Sequence, residues 1–542
     1  MGSVLFFSFM GSLILCMALI PTLSASAGRL QFIDVPRDRH VHREPIAKVG
    51  GIAFAVATFV AVLVWAPKDQ LILSSLLGGA VILMFGIWDD RVGLSYGMKF
   101  AGQILAAVIV VVFAGIRISS LPFLDDLLIP VWLSVPLTVM VIVGVTNAVN
   151  LSDGLDGLAG GLALISFAGI AYLAYQVNEI LLVLLTVSVL GGLLGFLRFN
   201  THPARIFMGD AGSQFLGHYL AVAAILLTDQ TRTAYSPLLA LFLWGVPLLD
   251  TVGVMIHRYV QGRSPFVGDR SHVHYRLLAC GLTHGQAVTL IYVVHAVMVG
   301  CAYLFRWQPD GLLVAVYVIF AGGLFGLFVG TPKATVSVEG GSSSGARPRV
   351  QRGSHPWAVG EVSLTILYLA IPMYLIGSTF VPREIPSDAG FVAGALTIAV
   401  LASFFLPSAA PWAVRAALYI GSTTVMYYSD VFPREVMVKV LTPINVGVAL
   451  LAVLVVLAVR LVGEERFQTT PLDYLIILFA GVMPFLPGMT VGDIPMGLLT
   501  AKLIVLFFAF ELLLNIRSSA VTRLGVVSLV MLAGVMLRAW WP

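Results

Sequence analysis

Residues 147–157 read NAVNLSDGLDG, and they sit between two long apolar runs centred near residues 138 and 166. Asn147, Asn150, Asp153 and Asp156 recur every three residues, so on a helix each is a neighbour of the next. An ionised side chain at the centre of a bilayer costs roughly 2.5–3.5 kcal/mol on insertion scales, so such residues mark a working site. Gly154 and Gly157 follow the two aspartates and allow close backbone approach by a ligand. Carboxylates and amides beside glycines suit a hard metal ion or a polar ligand; the alternative is a polar helix cap built from Asx turns.

The flanking runs are part of a wider pattern. Of the 542 residues, 59% are hydrophobic and 11% charged, with a mean hydropathy of +0.98, a balance that excludes an ordinary soluble protein. Apolar runs of spanning length recur about eleven times before residue 331, centred near 13, 57, 80, 107, 138, 166, 188, 219, 247, 295 and 320. The expected fold is an all-α polytopic membrane protein. The first run precedes Ala25-Ser26-Ala27, a sequence like a leader-peptide cleavage site, but it lacks an N-terminal Lys or Arg and is long, so a retained first span is expected. Cys16, Cys280 and Cys301 make neither a disulfide framework nor a zinc motif.

Basic residues orient these spans. With the N-terminus outside, segments 26–48, 89–99, 147–157, 198–211, 257–285 and 331–357 face the cytoplasm. They hold 17 of the 21 Lys and Arg in residues 1–357, the other four being Lys68, Arg117, Arg232 and Arg306. Every polar cluster then falls on one face. Residues 331–357 read as a flexible basic linker rich in Gly, Ser, Pro and Arg. The expected organisation is a membrane domain over 1–330, this linker, and a C-terminal module over 358–542 with about seven more apolar runs. Glu511 and Asn515 lie one turn apart in that module and read as helix–helix hydrogen-bonding residues.

Four further segments carry chemistry. Asp89-Asp90 ends the third run and fits magnesium binding or phosphate activation, or a solvated loop at a helix end. Asp210, beside Gly209, Gly212 and Ser213, fits a helix cap or a metal ligand, and Asn200, His202 and Arg205 add polar groups to the same loop. The loop HRYVQGRSPFVGDRSHVHYRLL carries Arg258, Arg263, Arg270, Arg276, His272 and His274. It suits phosphate oxygens better than zinc, or serves only as topological charge. The first loop, with Arg37, Arg39, His40, His42, Arg43 and Lys48, fits an anionic lipid phosphate or the same topological role. Carboxylates alone repel a phosphorylated substrate, but a hard divalent cation turns them into ligands. The chemistry that uses both is phosphoryl transfer between anionic partners. The competing class is a transporter or flippase, which places its charges near the midplane on broken, repeated helices.

Five motifs in order, HREPIAKVGG, DDRVGLS, NAVNLSDGLDGLAGG, FNTHPARIFMGDAGS and GRSPFVGDRSHVHYRLL, resemble those of the polyprenyl-phosphate N-acetylhexosamine-1-phosphate transferases. The resemblance covers residues 1 to about 330 and implies a WecA/MraY-like bundle of about 11 transmembrane helices. It implies transfer of N-acetylhexosamine-1-phosphate, with GlcNAc the default sugar, from a UDP-sugar to undecaprenyl phosphate, releasing UMP at the cytoplasmic face of the bacterial inner membrane. The cofactor implied is magnesium, with manganese as a substitute. Membrane lipids are the surroundings, a homodimer fits by analogy, and no nucleic acid is involved. Residue by residue, Asp89, Asp90 and Asp153 take catalytic roles, while Asp210 and Asn150 hold the metal. Asp156, Asn200 and Phe207 surround the uridine. Arg270, His272 and His274 meet the diphosphate and sugar, and His42 and Lys48 meet the lipid phosphate. Tyr275 stands where many members have a third histidine, and the module 358–542 lies outside the family's usual length.

Overall fold

The computed structural model describes residues 2–34, 45–123, 128–229, 231–264, 271–330, 354–382, 384–405, 410–431, 448, 450–455, 490–491, 494–516 and 519–541. Backbone polar groups in hydrocarbon must be satisfied within the chain, so apolar runs of this length become helices. Each of the eleven apolar runs before residue 331 is helical: α1 Gly2–Leu30, α2 Gly50–Trp65, α3 Gln70–Val92, α4 Tyr96–Phe113, α5 Val131–Leu151, α6 Leu158–Gln176, α7 Ile180–Asn200, α8 Gly209–Thr228 and α9 Leu239–Val260, then α11 His284–Leu304 and α12 Asp310–Gly330. A short α10, Val273–Ala279, precedes α11. Among the described residues, ten helices are long and apolar enough to cross a membrane, and the protein is an all-α multi-pass membrane protein.

The chain divides near residue 340 into two compact units. In the first, α8 occupies the centre. Its most apolar window has a mean hydropathy of only 1.3 yet is 100% buried, against 2.6 and 78% for α7. The two facts explain each other. Asp210, Ser213, Gln214 and His218 are too polar to face lipid, and α2, α3, α5 and α6 pack around them. Helix α9 bends at Gly245 and Pro247. The Val246 amide, at this break in the ladder, donates to Nδ1 of buried His295 at 3.2 Å, whose Nε2 lies 2.8 Å from Ser166 Oγ.

Two small strands, which the apolar pattern does not announce, tie the polar loops together. β1 (Ile33–Asp34) pairs antiparallel with β2 (Ile46–Ala47), and Ala47 bridges in turn to Ile206. The Phe207 amide donates to Ala47 O at 2.9 Å and the Gly50 amide to Phe207 O at 3.0 Å. The loop after α1 is thereby fixed to the loop after α7.

In the second unit the described helices are α13 Ser354–Ser378, α14 Ser387–Ser403, α15 Ala410–Val431, α16 Met496–Ile516 and α17 Ser519–Trp540. Glu511 of α16 accepts from Arg415 Nε of α15 at 2.9 Å and from the Tyr419 hydroxyl, an interhelical polar contact of the kind expected there. The Asn515 side chain and most of the linker 331–357 lie outside the described residues.

Candidate functional site

The site assembles where α3 and α5 end and α4 and α8 begin. Asp89, 5% exposed, accepts from the Leu94 amide at 2.7 Å and pairs through its other oxygen with Lys99 Nζ. Lys99 Nζ also lies 3.3 Å from Asp210 Oδ2. The other Asp210 oxygen accepts from Asn150 Nδ2 at 2.7 Å, and the same amide reaches Ser213 Oγ at 2.7 Å. One continuous chain of contacts, Asp89–Lys99–Asp210–Asn150–Ser213, therefore joins four helices. A second polar layer lies one turn deeper. Asn147 donates to Gln103 Oε1 at 2.7 Å, and Gln103 donates to Gln214 Oε1 at 3.2 Å.

Asp90 has a different task from Asp89. Its two oxygens accept from the Asp210 and Ala211 amides, each at 2.9 Å, so it caps the start of α8 and fixes where Asp210 stands. Gly209 makes this approach feasible. Its φ is +67°, and a Cβ there would lie 2.4 Å from Asp90 Oδ2.

The loop between α5 and α6 forms the next wall. Asp153 is exposed. Desolvation, then the carboxylates of Asp210, Asp90 and Asp156, push it up to about 7. The side chain reaches solvent, so the crowding of like charges is the firmer cause. Asp156 accepts from the Ala204 amide at 3.1 Å and pairs with His202 Nδ1 at 2.7 Å. Against partial desolvation, these contacts hold it below the usual carboxylate range. Asn200 is buried and spends both ends of its amide on backbone, accepting from Gly157 N at 3.0 Å and donating to Ile206 O at 2.8 Å. It joins the Asp156 turn to the Phe207 loop. Phe207 is half-buried, its backbone pinned to β2.

Opposite stands the segment after α9. His272 is the N-cap of α10, in extended conformation, which brings the His272 and His274 rings near parallel with centroids 5.8 Å apart. Buried Asp250 of α9 holds this turn by accepting from His272 Nδ1 at 2.8 Å and from the Val273 amide at 2.9 Å. His274 is buried with its Nε2 against Gly154, where a Cβ would lie 2.2 Å from that nitrogen. Burial pushes the His274 ring down to about 4, keeping it neutral. Lys48 pairs with Asp34 of β1 at 3.1 Å. The expected site residues His42 and Arg270 lie outside the described residues.

Asp89, Asp90, Asn150 and Asp210 thus meet in direct contact, Asp153 and Asp156 lie on the adjoining α5–α6 loop, Asn200 and Phe207 are joined to it through backbone, His272 is held by Asp250, His274 packs against Gly154, and Lys48 pairs with Asp34. Sequence reasoning missed Lys99, Gln103, Gln214 and Asp250, and noted Ser213 only as a neighbour of Asp210. A signal for three of them was present. Lys99 and Gln103, like Asp210 and Gln214, are polar pairs four residues apart on otherwise apolar helices, which puts each pair on one face.

The donor set fits a hard divalent ion. Four carboxylates (Asp89, Asp90, Asp153, Asp210) lie near two lysine ammoniums (Lys48, Lys99), the ligands are oxygens, and like charges already crowd Asp153. Asn150 presents its amide nitrogen to Asp210, so offering its oxygen to an ion requires the amide to turn over.

Comparison with known proteins gives concordant results. The glycosyl transferase family 4 model matches residues 72–228, which spans α3 to α8 and includes Asp89, Asp90, Asn150, Asp153, Asp156 and Asp210. The chain is 36% identical over 290 residues to a probable undecaprenyl-phosphate N-acetylglucosaminyl 1-phosphate transferase of Bacillus subtilis, covering 53% of this chain and 81% of that protein. It is 35% identical over 332 residues to a decaprenyl-phosphate N-acetylglucosaminephosphotransferase of Mycobacterium tuberculosis, with 55% and 82% covered. It is 29% identical over 308 residues to the undecaprenyl-phosphate alpha-N-acetylglucosaminyl 1-phosphate transferase of Escherichia coli K12, with 54% and 82% covered.

Proposed function

The chain belongs to glycosyl transferase family 4, and on that premise we propose that it transfers N-acetylglucosamine-1-phosphate from UDP-N-acetylglucosamine to undecaprenyl phosphate. The observation that carries the proposal is the Asp89–Lys99–Asp210–Asn150 chain of contacts at one end of the bundle. In this reading that end faces the cytoplasm of the inner membrane, an orientation that the excess of Lys and Arg on that side supports.

The nucleotide enters the mouth lined by the α5–α6 loop and the loop after α7. Phe207 offers a ring for the uracil, and Asp156 a carboxylate for the ribose or base. Asn200 keeps the two in register through its backbone contacts. A magnesium ion held by Asp210 and Asn150 would supply charge neutralisation at the diphosphate. Lys99, beside both Asp89 and Asp210, can shift toward phosphate oxygens and take up charge that develops during transfer. Asp89 orients the lipid phosphate, and Lys48 steadies its approach from the membrane edge. A lipid phosphate oxygen attacks the β-phosphorus, the bond to the bridging oxygen breaks, and UMP carries that oxygen away, leaving polyprenyl diphosphate sugar. Asp153, crowded by the neighbouring carboxylates, stands on the α5–α6 loop where the leaving nucleotide departs. The neutral His274 and the Asp250-held His272 wall the sugar side.

The test is UMP release by the purified protein with UDP-GlcNAc, undecaprenyl phosphate and magnesium. The expected result is turnover that requires all three and falls at least about 1,000-fold in Asp210→Ala, since charge neutralisation carries most of phosphoryl-transfer catalysis. Unchanged turnover in that variant overturns the metal assignment. A panel of UDP-sugars identifies the sugar.

A further inference from the structure

We propose that Asp156, His202 and His284 form a second cation site, selective for a borderline transition-metal ion of the zinc class and separate from the all-oxygen site at Asp210. Three segments distant in sequence supply the ligands: the α5–α6 loop, the loop after α7, and the first turn of α11. One carboxylate oxygen and one nitrogen from each ring lie within 4.8 Å of one another. The His202 and His284 rings stack with centroids 4.0 Å apart at 20°.

Two features separate this cluster from an incidental pairing. The Asp156 carboxylate already meets His202 Nδ1 at 2.7 Å, so these two donors are brought together by the fold and an ion would take the place of the proton they share. Both nitrogens of His284 are buried, and neither has a hydrogen-bond partner among the described residues. A buried imidazole nitrogen with no partner is unfavourable, and an ion bound in the plane of the His284 ring removes that penalty for the nitrogen that holds it. The Thr283 capping box, in which the Gln286 amide donates to Thr283 Oγ1 at 3.4 Å, and Thr283 N donates to Gln286 Oε1 at 3.0 Å, holds the α11 start that presents His284.

Two imidazoles and a carboxylate select against magnesium and in favour of zinc, cobalt, nickel or copper, since nitrogen donors suit borderline ions. Tetrahedral coordination with metal–ligand distances near 2.0–2.1 Å puts donor atoms roughly 3.3 Å apart, which side-chain rotation at His202 can reach from the observed arrangement. Three protein ligands leave a fourth position for water. The occupied site would pin the loop after α7 to α11. It draws on Asp156, which the nucleotide reading also uses, but its test needs no nucleotide and stands separately from that reading.

The experiment is a titration of tag-free, full-length, metal-stripped protein in detergent with Co²⁺, followed by the visible ligand-field absorption of a low-coordinate nitrogen-ligated ion. Saturation at one equivalent is expected, with the signal unaffected by excess Mg²⁺ and retained in Asp210→Ala. In His284→Gln and in His202→Gln, which keep amide hydrogen bonding but lose the imidazole, affinity should fall by more than about 100-fold, beyond what loss of an outer-shell partner costs. Thermal melting in the absence of metal identifies any variant that fails to fold, and a Zn²⁺-dependent rise in melting temperature in the parent that both folded variants lack is the second supporting readout. Absence of the cobalt signal in the parent overturns the proposal, as does its persistence in both variants or its loss only in Asp210→Ala.

Discussion

Asp90→Asn tests whether the second aspartate of the DD pair acts on the substrate or on Asp210. The two Asp90 oxygens each accept one amide of the first turn of α8, at 2.9 Å. Asparagine keeps the shape but has one acceptor; its NH₂ group faces an amide donor, so one charge-assisted bond is lost and one N–H is orphaned. A bond of that kind contributes about 1.5–3 kcal/mol. If the loss is felt as displacement of Asp210, it corresponds to roughly a 10- to 150-fold weaker grip on the metal, matching the 10- to 100-fold usual for residues that support a ligand. UMP release measured across a magnesium titration separates the alternatives. The expected outcome is a raised magnesium requirement, with kcat largely recovered at saturating ion. A loss above about 1,000-fold at every magnesium concentration, with the requirement unchanged, would refute the reasoning and place Asp90 on the reacting phosphates.

Gly209→Ala should reproduce the Asp90→Asn signature in stronger form, because a left-handed alanine costs roughly 1–2 kcal/mol and its Cβ collides with Asp90 Oδ2; melting temperature and magnesium titration together read it. Asp153 gives a pH prediction. Its carboxyl is raised in the folded state to about 7 from an ordinary value near 4, so the folded form binds the extra proton between those values and stability without divalent ion falls as pH rises through that window. Asp153→Asn should flatten the dependence, and magnesium should oppose it; melting curves from pH 4 to 8 measure both. Tyr292→Phe removes the hydroxyl that donates to Gly157 O at 2.6 Å and should cost about 1 kcal/mol of stability. A chain ending at residue 357 should keep full transferase activity in the UMP assay, since all site residues precede that point; inactivity of the folded, shortened protein would assign the second unit a part in transfer.

How much of this was legible in the sequence depended on the range of the interactions. Spans were legible because helix formation in lipid follows from local composition: each of the eleven apolar runs before residue 331 became a helix. The acidic members of the site were legible because charge beside an apolar run is costly. Asp250 interrupts the apolar run at the middle of α9, but nothing beside it in sequence marks a partner, and only the fold brings it to His272, twenty-two residues later. Lys99 was counted as one of many topological cations; its meaning comes from α4 packing beside α3 and α8. The β1–β2 pair with its bridge to Ile206 was invisible because two-residue strands carry no periodicity.

Lys99 also explains how so acidic an end of the bundle holds together. Two helix ends, those of α3 and α8, deliver Asp89, Asp90 and Asp210 within a few residues of the apolar core, where mutual repulsion is poorly screened. The chain answers with three separate devices. Asp90 is neutralised by helix N-terminal amides, Asp210 by Lys99 and the Asn150 amide, and Asp89 by Lys99 and the Leu94 amide. Lys99 is the only one of these partners that carries a full charge and a flexible stem. A divalent ion arriving at Asp210 can therefore replace it without dismantling the helix caps, and the displaced ammonium remains tethered beside Asp89, where an incoming phosphate needs a cation. On the proposed function, the same residue that stabilises this arrangement is already placed for anionic substrates, which is why its position on α4, four residues before Gln103, matters more than its charge alone.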